Sequence, residues 1–206
     1  MDKFILEIPN FLSHDLCNDL IEKFEKHADK IENGKLRYFI DGEQLDLEKP
    51  NKELDMSLYP DFKGVDATVQ KYVSSAIKTY LKHLESEFDF NKKPFTHPMA
   101  QIITNDRLSD AGYFIHRIPH GSIYEWHIDQ LPFGPKSQSL GFAQIIFYLN
   151  TLQPHEGGCT EFVNGRKVRP EIGKMVIFPR SWTYPHSGER VKAPFKYILT
   201  TCINMS

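Results

Sequence analysis

The chain has 206 residues, 40% hydrophobic and 25% charged, with a formal net charge of −2. That length suits one well-buried domain. The near-neutral balance gives no global basic field of the kind that draws a protein to nucleic acid. No apolar run reaches membrane-spanning length. Three scattered cysteines, Cys17, Cys159 and Cys202, form neither a disulfide framework nor a Cys-x-x-Cys zinc pair. The opening stretch, 1–12, is interrupted by Glu7 and Pro9 and lacks a basic lead, so it does not read as a signal peptide. A reducing cytoplasm is the expected compartment.

Residues 3–8 predict a short strand ending at Pro9. Ser13 is placed to cap a helix whose apolar stripe is Leu16, Cys17, Leu20, Ile21 and Phe24. Asn33-Gly34 is its expected stop. Residues 35–62 are charged and bounded by prolines, and read as a surface excursion with one short strand at 36–40. A second helix is predicted over 65–87, buried through Val69, Tyr72, Val73, Ala76, Ile77, Tyr80, Leu81 and Leu84, and closed by Lys92-Lys93-Pro94. Neither helix carries a chemical motif.

After Pro98 the texture changes to short β-rich runs separated by Gly, Pro and Asn turns. The runs are 100–104, 113–118, 122–128, 143–150, 159–163, 167–169, 175–178 and 195–203. Such spacing indicates a sandwich or barrel, and helices preceding strands make the class α+β, with the helices buttressing one sheet. The expected organisation is one domain over 1–206, with a helical support region at 1–98 and a β core at 99–206.

His127 and Asp129 are two apart in a predicted strand, so both project from one face. A second histidine, His186, follows the apolar run at 175–178 and a Pro/Trp-rich turn. Two histidines and one carboxylate form the ligand set of a mononuclear Fe(II) centre with open positions. Lys196 lies ten residues beyond His186, and Thr200, four further on, shares its strand face. Other candidates have plainer readings. His116 and His120 have helical spacing, but Pro119 and Gly121 break a helix there. His155 sits in a polar turn, Trp126 and Trp182 read first as packing residues, and Arg166, Lys167 and Arg169 as a charged edge.

The C-terminal half resembles the Fe(II)/2-oxoglutarate-dependent dioxygenases of the prolyl 4-hydroxylase type. The resemblance rests on Gly121, Tyr124-x-x-His127-x-Asp129, 147–150 (Phe-Tyr-Leu-Asn), 157–162 (Gly-Gly-Cys-Thr-Glu-Phe), Gly173 with Phe178-Pro179, His186-Ser187-Gly188 and Lys196-Tyr197-Ile198. It covers about residues 100–204, with the motifs in family order, and the opening at 8–13 is similar as well. It implies a double-stranded β-helix, or jelly roll. His127, Asp129 and His186 would bind Fe(II). Lys196 would hold the distal carboxylate of the cosubstrate 2-oxoglutarate with help from the hydroxyls of Tyr148 and Thr200. Fe(II), 2-oxoglutarate and O2 are the implied cofactors, with room for ascorbate. The implied reaction hydroxylates an unactivated C–H bond and converts 2-oxoglutarate to succinate. The tyrosine that the family often carries three residues before Gly121 is Ile118 here. Tyr124 and Trp182 are the substrate-side candidates. Tyr124 has the wrong parity for the pocket unless a bulge turns it in, and residues 130–141 match the family's substrate-covering loop.

The leading expectation is a peptidyl substrate such as proline. An oxygenase of a free amino acid, metabolite or nucleobase stands as the alternative, and a non-catalytic metal-binding jelly roll as the alternative outside enzymology.

Overall fold

The computed structural model describes residues 2–29, 31, 33–40, 43–88, 108–129 and 140–205. Strand β1 (Leu6–Ile8) leads into helix α1 (His14–Glu25). The Ser13 hydroxyl caps that helix by accepting from the Leu16 N–H at 3.3 Å. The helix stops at Glu25, about two and a half turns before the glycine expected to end it, and a hairpin begins at residue 33. The second helix, α2 (Val65–Phe88), follows the periodicity of its apolar face, with Val69, Val73, Ala76, Tyr80 and Leu84 buried.

The stretch at 35–62 is not an irregular excursion. It forms β2 (Asn33–Ile40) and β3 (Glu43–Asp55), a long antiparallel pair, followed by two short 3-10 turns. The strand expected at 36–40 lies within β2, while the charge and proline of 43–55 hid β3 from a periodicity reading. The two strands are stabilised from outside, by pairing of Lys52–Asp55 with β5 (Phe114–Pro119).

The remaining strands are β4 (Leu108–Asp110), β6 (Tyr124–His127), β7 (Leu140–Tyr148), β8 (Thr160–Phe162), β9 (Lys167–Val168), β10 (Met175–Pro179), β11 (His186–Gly188) and β12 (Phe195–Met205). β4 and β11 were not foreseen. The strand expected at 100–104 and most of the loop at 130–141 lie outside the described residues. Two antiparallel sheets result. The larger runs β1-β10-β7-β12-β5-β3-β2, with β4 also on β12, and the smaller runs β6-β11-β8-β9. This is the jelly-roll architecture, backed by two helices.

Strand parity sorts the larger sheet into two faces. Leu54, Ile115, Leu199 and Phe147 lie in one cross-strand row and join the core beneath the helices, where Phe24 meets Tyr197 and Tyr80 meets Phe142 edge-on. The adjacent row, Glu53, His116, Ile198 and Tyr148, faces the other way, toward the smaller sheet. There Ile146, Tyr148, Phe162, Val168, Val176 and Phe178 form a second core between the sheets. The open end of that space is the site. Among the described residues no helix is long and apolar enough to cross a membrane.

Candidate metal centre

β6 and β11 pair so that His127 stands opposite His186. Asp129 follows two residues after His127, just past the end of the strand, and its chain is pinned there by Arg180. That guanidinium donates from Nε to the Asp129 carbonyl at 2.9 Å and from Nη1 to Asn204 at 2.7 Å. The three side chains offer ligand atoms that all lie within 4.8 Å of one another. His127 Nε2 is 3.6 Å from Asp129 Oδ1, and His186 Nε2 is 3.5 Å from Oδ2.

Both imidazoles are oriented from behind. His127 Nδ1 donates to the Glu125 carbonyl at 2.8 Å, and His186 Nδ1 to the Tyr184 carbonyl at 3.2 Å. A carbonyl can only accept, so each Nδ1 carries a hydrogen. The two Nε2 lone pairs are therefore left facing Asp129, the arrangement that orients histidine ligands around a metal. Burial would raise the Asp129 carboxyl; in the metal-free protein, hydrogen bonding from His127 when its Nε2 is protonated too, the charges of the protonated His186 and His127, and Arg180 hold it below its usual value. Burial pushes His186 down, toward its neutral form. Asp129 Oδ2 is buried and has no hydrogen-bond partner among the described residues, a costly state that a cation would relieve. Imidazole nitrogens and a carboxylate suit Fe(II), so the residues fit the ion that the motif implies.

The centre opens into a cavity of about 230 Å³ between the sheets. Lys196 lies in its wall, 3% exposed. Its Nζ donates to the Gly158 carbonyl at 2.7 Å and stands 5.4 Å above the Tyr148 ring, with no ion-pair partner among the described residues. Burial lowers it from 10.5 to about 8 despite the nearby Cys159 and Glu189. Thr200 shares the wall with Lys196. Tyr148 does not line the cavity. It is fully buried, and its hydroxyl donates to Thr160 Oγ1 at 2.7 Å, so Thr160 is the hydroxyl that the cavity meets on that side.

Tyr124 does reach the cavity. The register shifts between His186 and Gly188, so that two steps along β11 answer three along β6 and Gly188 faces Tyr124. This bulge reverses the parity of Tyr124 relative to His127. A side chain at 188 could not be tolerated, because a Cβ there would lie 2.9 Å from Tyr124 Cβ. Trp182 is a correction. It is 75% exposed and lies outside the cavity wall.

The sequence reading missed the wall supplied by β3. Lys49, Asn51 and Glu53 line the cavity together with His116 of β5. Lys49 Nζ bonds Glu53 at 2.9 Å. Glu53 Oε2 and Asn51 Nδ2 lie 3.3 and 3.1 Å from His116 Nδ1, and His116 Nε2 lies 2.8 Å from Thr200 Oγ1. Burial would raise Glu53, but His116 and then Lys49 draw it down to about 2. The alternation of Phe114, His116 and Ile118 was the only signal of this wall, and it could not say which face was the inner one.

Residues 113–204 match the family model of the 2OG-Fe(II) oxygenase superfamily. No curated protein matches the sequence. Among solved structures, the chain is similar to the viral collagen prolyl hydroxylase of Paramecium Bursaria Chlorella virus-1 in its 2OG complex, at 17% identity, covering 98% of this chain and 96% of that one, with a TM-score of 0.64. It is similar to a prolyl-4-hydroxylase of Pseudomonas putida at 16% identity, with 98% and 93% covered and a TM-score of 0.62. A prolyl hydroxylase of Trichoplax adhaerens, in complex with a hypoxia inducible factor oxygen degradation domain peptide fragment, gives 16%, 98% and 83%, and 0.65. At such identities these neighbours establish the fold. Residues 113–204 thus resemble the 2OG-Fe(II) oxygenase superfamily, and the fold is that of the prolyl hydroxylase neighbours.

Proposed function

We propose that this protein hydroxylates a peptidyl residue such as proline, with His127, Asp129 and His186 as its iron ligands and Lys196, Thr200 and Thr160 around the cosubstrate. The carrying observation is the buried Asp129 Oδ2, without a hydrogen-bond partner among the described residues, set between two histidines at the mouth of a cavity whose wall holds a buried lysine with no ion-pair partner among those residues. One end of that cavity asks for a cation and the other for an anion. Iron held there would, with 2-oxoglutarate and O2, supply the oxidation, one oxygen atom going to the substrate and the other to succinate as CO2 is released.

The chain's own part is orientation and exclusion. The carbonyls of Glu125 and Tyr184 fix the two rings, and Arg180 fixes the carboxylate's loop. Lys196 meets the far carboxylate of 2-oxoglutarate in a buried setting where a charge-assisted bond is strong. Tyr148 and Thr160 hold each other beside it. Phe162 and Phe178 pack edge-on behind His186, with Phe178 4.9 Å from its ring, and keep water off the rear of the centre.

A peptide substrate is supported by the peptide bound to the Trichoplax adhaerens neighbour. A small polar metabolite is the second reading, favoured by the Lys49–Glu53 pair beside Tyr124 in the cavity wall. Three free cysteines support a reducing, cytoplasmic setting.

Anaerobic addition of Fe(II) and 2-oxoglutarate to the protein tests this reading. A weak visible charge-transfer band, absent in His186→Ala, supports the centre. Folded protein that gives no band returns the chain to a non-catalytic metal-binding jelly roll. Succinate release stimulated by proline-containing peptides, and not by free amino acids, selects the peptide.

A further inference from the structure

His116 has no part in the triad and no place in the residue pattern that marks the family in this chain, yet it is 9% exposed in the cavity wall and held at both ring nitrogens. Its Nε2 lies 2.8 Å from Thr200 Oγ1, and its Nδ1 lies 3.1 Å from the Asn51 amide nitrogen. Glu53 Oε2 approaches the same Nδ1 at 3.3 Å but is already engaged at 2.9 Å by Lys49. Three residues from two strands, Asn51 and Glu53 of β3 and Thr200 of β12, are spent on one ring, which is a large polar investment for a group without a task.

A carboxylate can only accept hydrogen bonds, and a threonine hydroxyl has a single hydrogen to give. If Thr200 spends that hydrogen on His116, it has nothing for a cosubstrate carboxylate. If His116 carries its proton on Nε2 and donates to Thr200 Oγ1, the Thr200 hydrogen is free to point into the cavity. The Asn51 amide nitrogen is a donor. At 3.1 Å it can donate to a lone pair on Nδ1, the tautomer with the ring proton on Nε2, whereas the Glu53 carboxylate at 3.3 Å accepts from a hydrogen on the same Nδ1. A ring protonated at both nitrogens, answering Glu53 as well, has the same consequence.

We propose that His116 is a positioning residue for 2-oxoglutarate: its Nε2–H, set by Asn51, turns the Thr200 hydroxyl hydrogen toward the cosubstrate's distal carboxylate. The inference rests on the proposed function, because it needs the cosubstrate to lie along the Lys196–Thr200 wall. It also gives a reason for Ile118 at the place where relatives often carry a tyrosine: the hydroxyl on this side comes from Thr200, aimed by a histidine from the next inward position of the same strand, β5.

The charge-transfer band of the anaerobic Fe(II) protein, titrated with 2-oxoglutarate, gives the dissociation constant without turnover. Thr200→Val is expected to weaken binding by about tenfold or more, the value of one hydrogen bond to a charged group. His116→Phe is expected to weaken it by roughly five- to tenfold, while His116→Gln, whose amide can donate to Thr200, stays within about threefold of the wild type. The double variant His116→Phe/Thr200→Val binds no more weakly than Thr200→Val alone, because the histidine acts only through the hydroxyl. In turnover, His116→Phe raises KM for 2-oxoglutarate and leaves kcat within about twofold.

Wild-type affinity in His116→Phe, or effects that multiply in the double variant, overturns the inference. Should the phenylalanine variant not fold, long-range 15N correlation of the His116 ring in the metal-free wild type decides. A proton on Nε2 supports the proposal, and a ring protonated only on Nδ1, the pattern Glu53 alone would select, refutes it. If the wild type gives no band at all, the proposed function has failed, and the ring correlation still reports on His116.

Discussion

Lys196→Met should make the metal-free protein more stable at neutral pH while removing its grip on 2-oxoglutarate. The Lys196 side chain is 3% exposed, and burial lowers it from 10.5 to about 8. Each unit is worth about 1.4 kcal/mol, so holding the ammonium in place at pH 7 costs roughly 3 kcal/mol. Methionine fills the same volume without charge. Losing the bond to the Gly158 carbonyl at 2.7 Å and the contact with the Tyr148 ring at 5.4 Å returns part of that, leaving a net gain of about 1–2 kcal/mol. The sign fixes the pH window. The folded-state value lies below the unfolded one, so the unfolded chain binds the extra proton between about 8 and 10.5. Wild-type stability therefore rises relative to the variant as pH climbs through that window, and the full penalty stands below 8. Urea unfolding of both proteins at pH 7 and pH 10 measures the difference, and calorimetry of the Fe(II)-loaded proteins measures 2-oxoglutarate affinity, expected to fall by about 10- to 100-fold. A variant less stable than the wild type at pH 7, a stability difference independent of pH, or unchanged cosubstrate affinity would refute the reasoning.

Other outcomes follow from the same geometry. His127→Ala, His186→Ala and Asp129→Ala should each lower turnover by more than about 100-fold through loss of iron, read by metal analysis after dialysis together with succinate release. Asp129→Asn should lower the stability of the metal-free protein at neutral pH, since His127, His186 and Arg180 hold the carboxyl below its usual value and so favour the folded, ionised form, as thermal unfolding in chelator would show. Gly173→Ala should cost about 2–4 kcal/mol, because Gly173 has φ +78 and an added Cβ would lie 2.5 Å from the Leu12 carbonyl. Denaturant midpoints with an unchanged m-value would show it. Trp182→Ala should leave stability within about 0.5 kcal/mol and cosubstrate KM unchanged, since the side chain is surface-exposed. A change in peptide KM alone would give Trp182 a role at the rim.

Much of this protein is legible without coordinates, and for a definable reason. The two helices, most of the β strands and their α+β order arise from periodicities contained within a dozen residues, and a period of 3.6 or 2 is a property of the local chain. His127, Asp129, His186, Lys196 and Thr200 could be nominated because each sits at a fixed offset within one strand or from one turn. Where local chemistry was silent the reading failed. The charged stretch at 43–55 becomes β3 because β5 offers an edge to pair with. No window on 35–62 contains that edge, which lies some sixty residues on.

The cavity wall shows the same division. Tyr124 enters through a bulge that exists only once β11 is laid against β6. Tyr148 yields its place to Thr160 because the hydroxyls meet across β7 and β8. The ring of His116 joins Asn51, 65 residues before it, to Thr200, 84 residues after it. Sequence by itself determined which residues could hold a metal and a carboxylate, since ligand chemistry belongs to residue type and spacing. Only the tertiary structure decided which hydroxyls face the cavity and which ring aims them, since strand register is set by pairing between segments far apart in the chain.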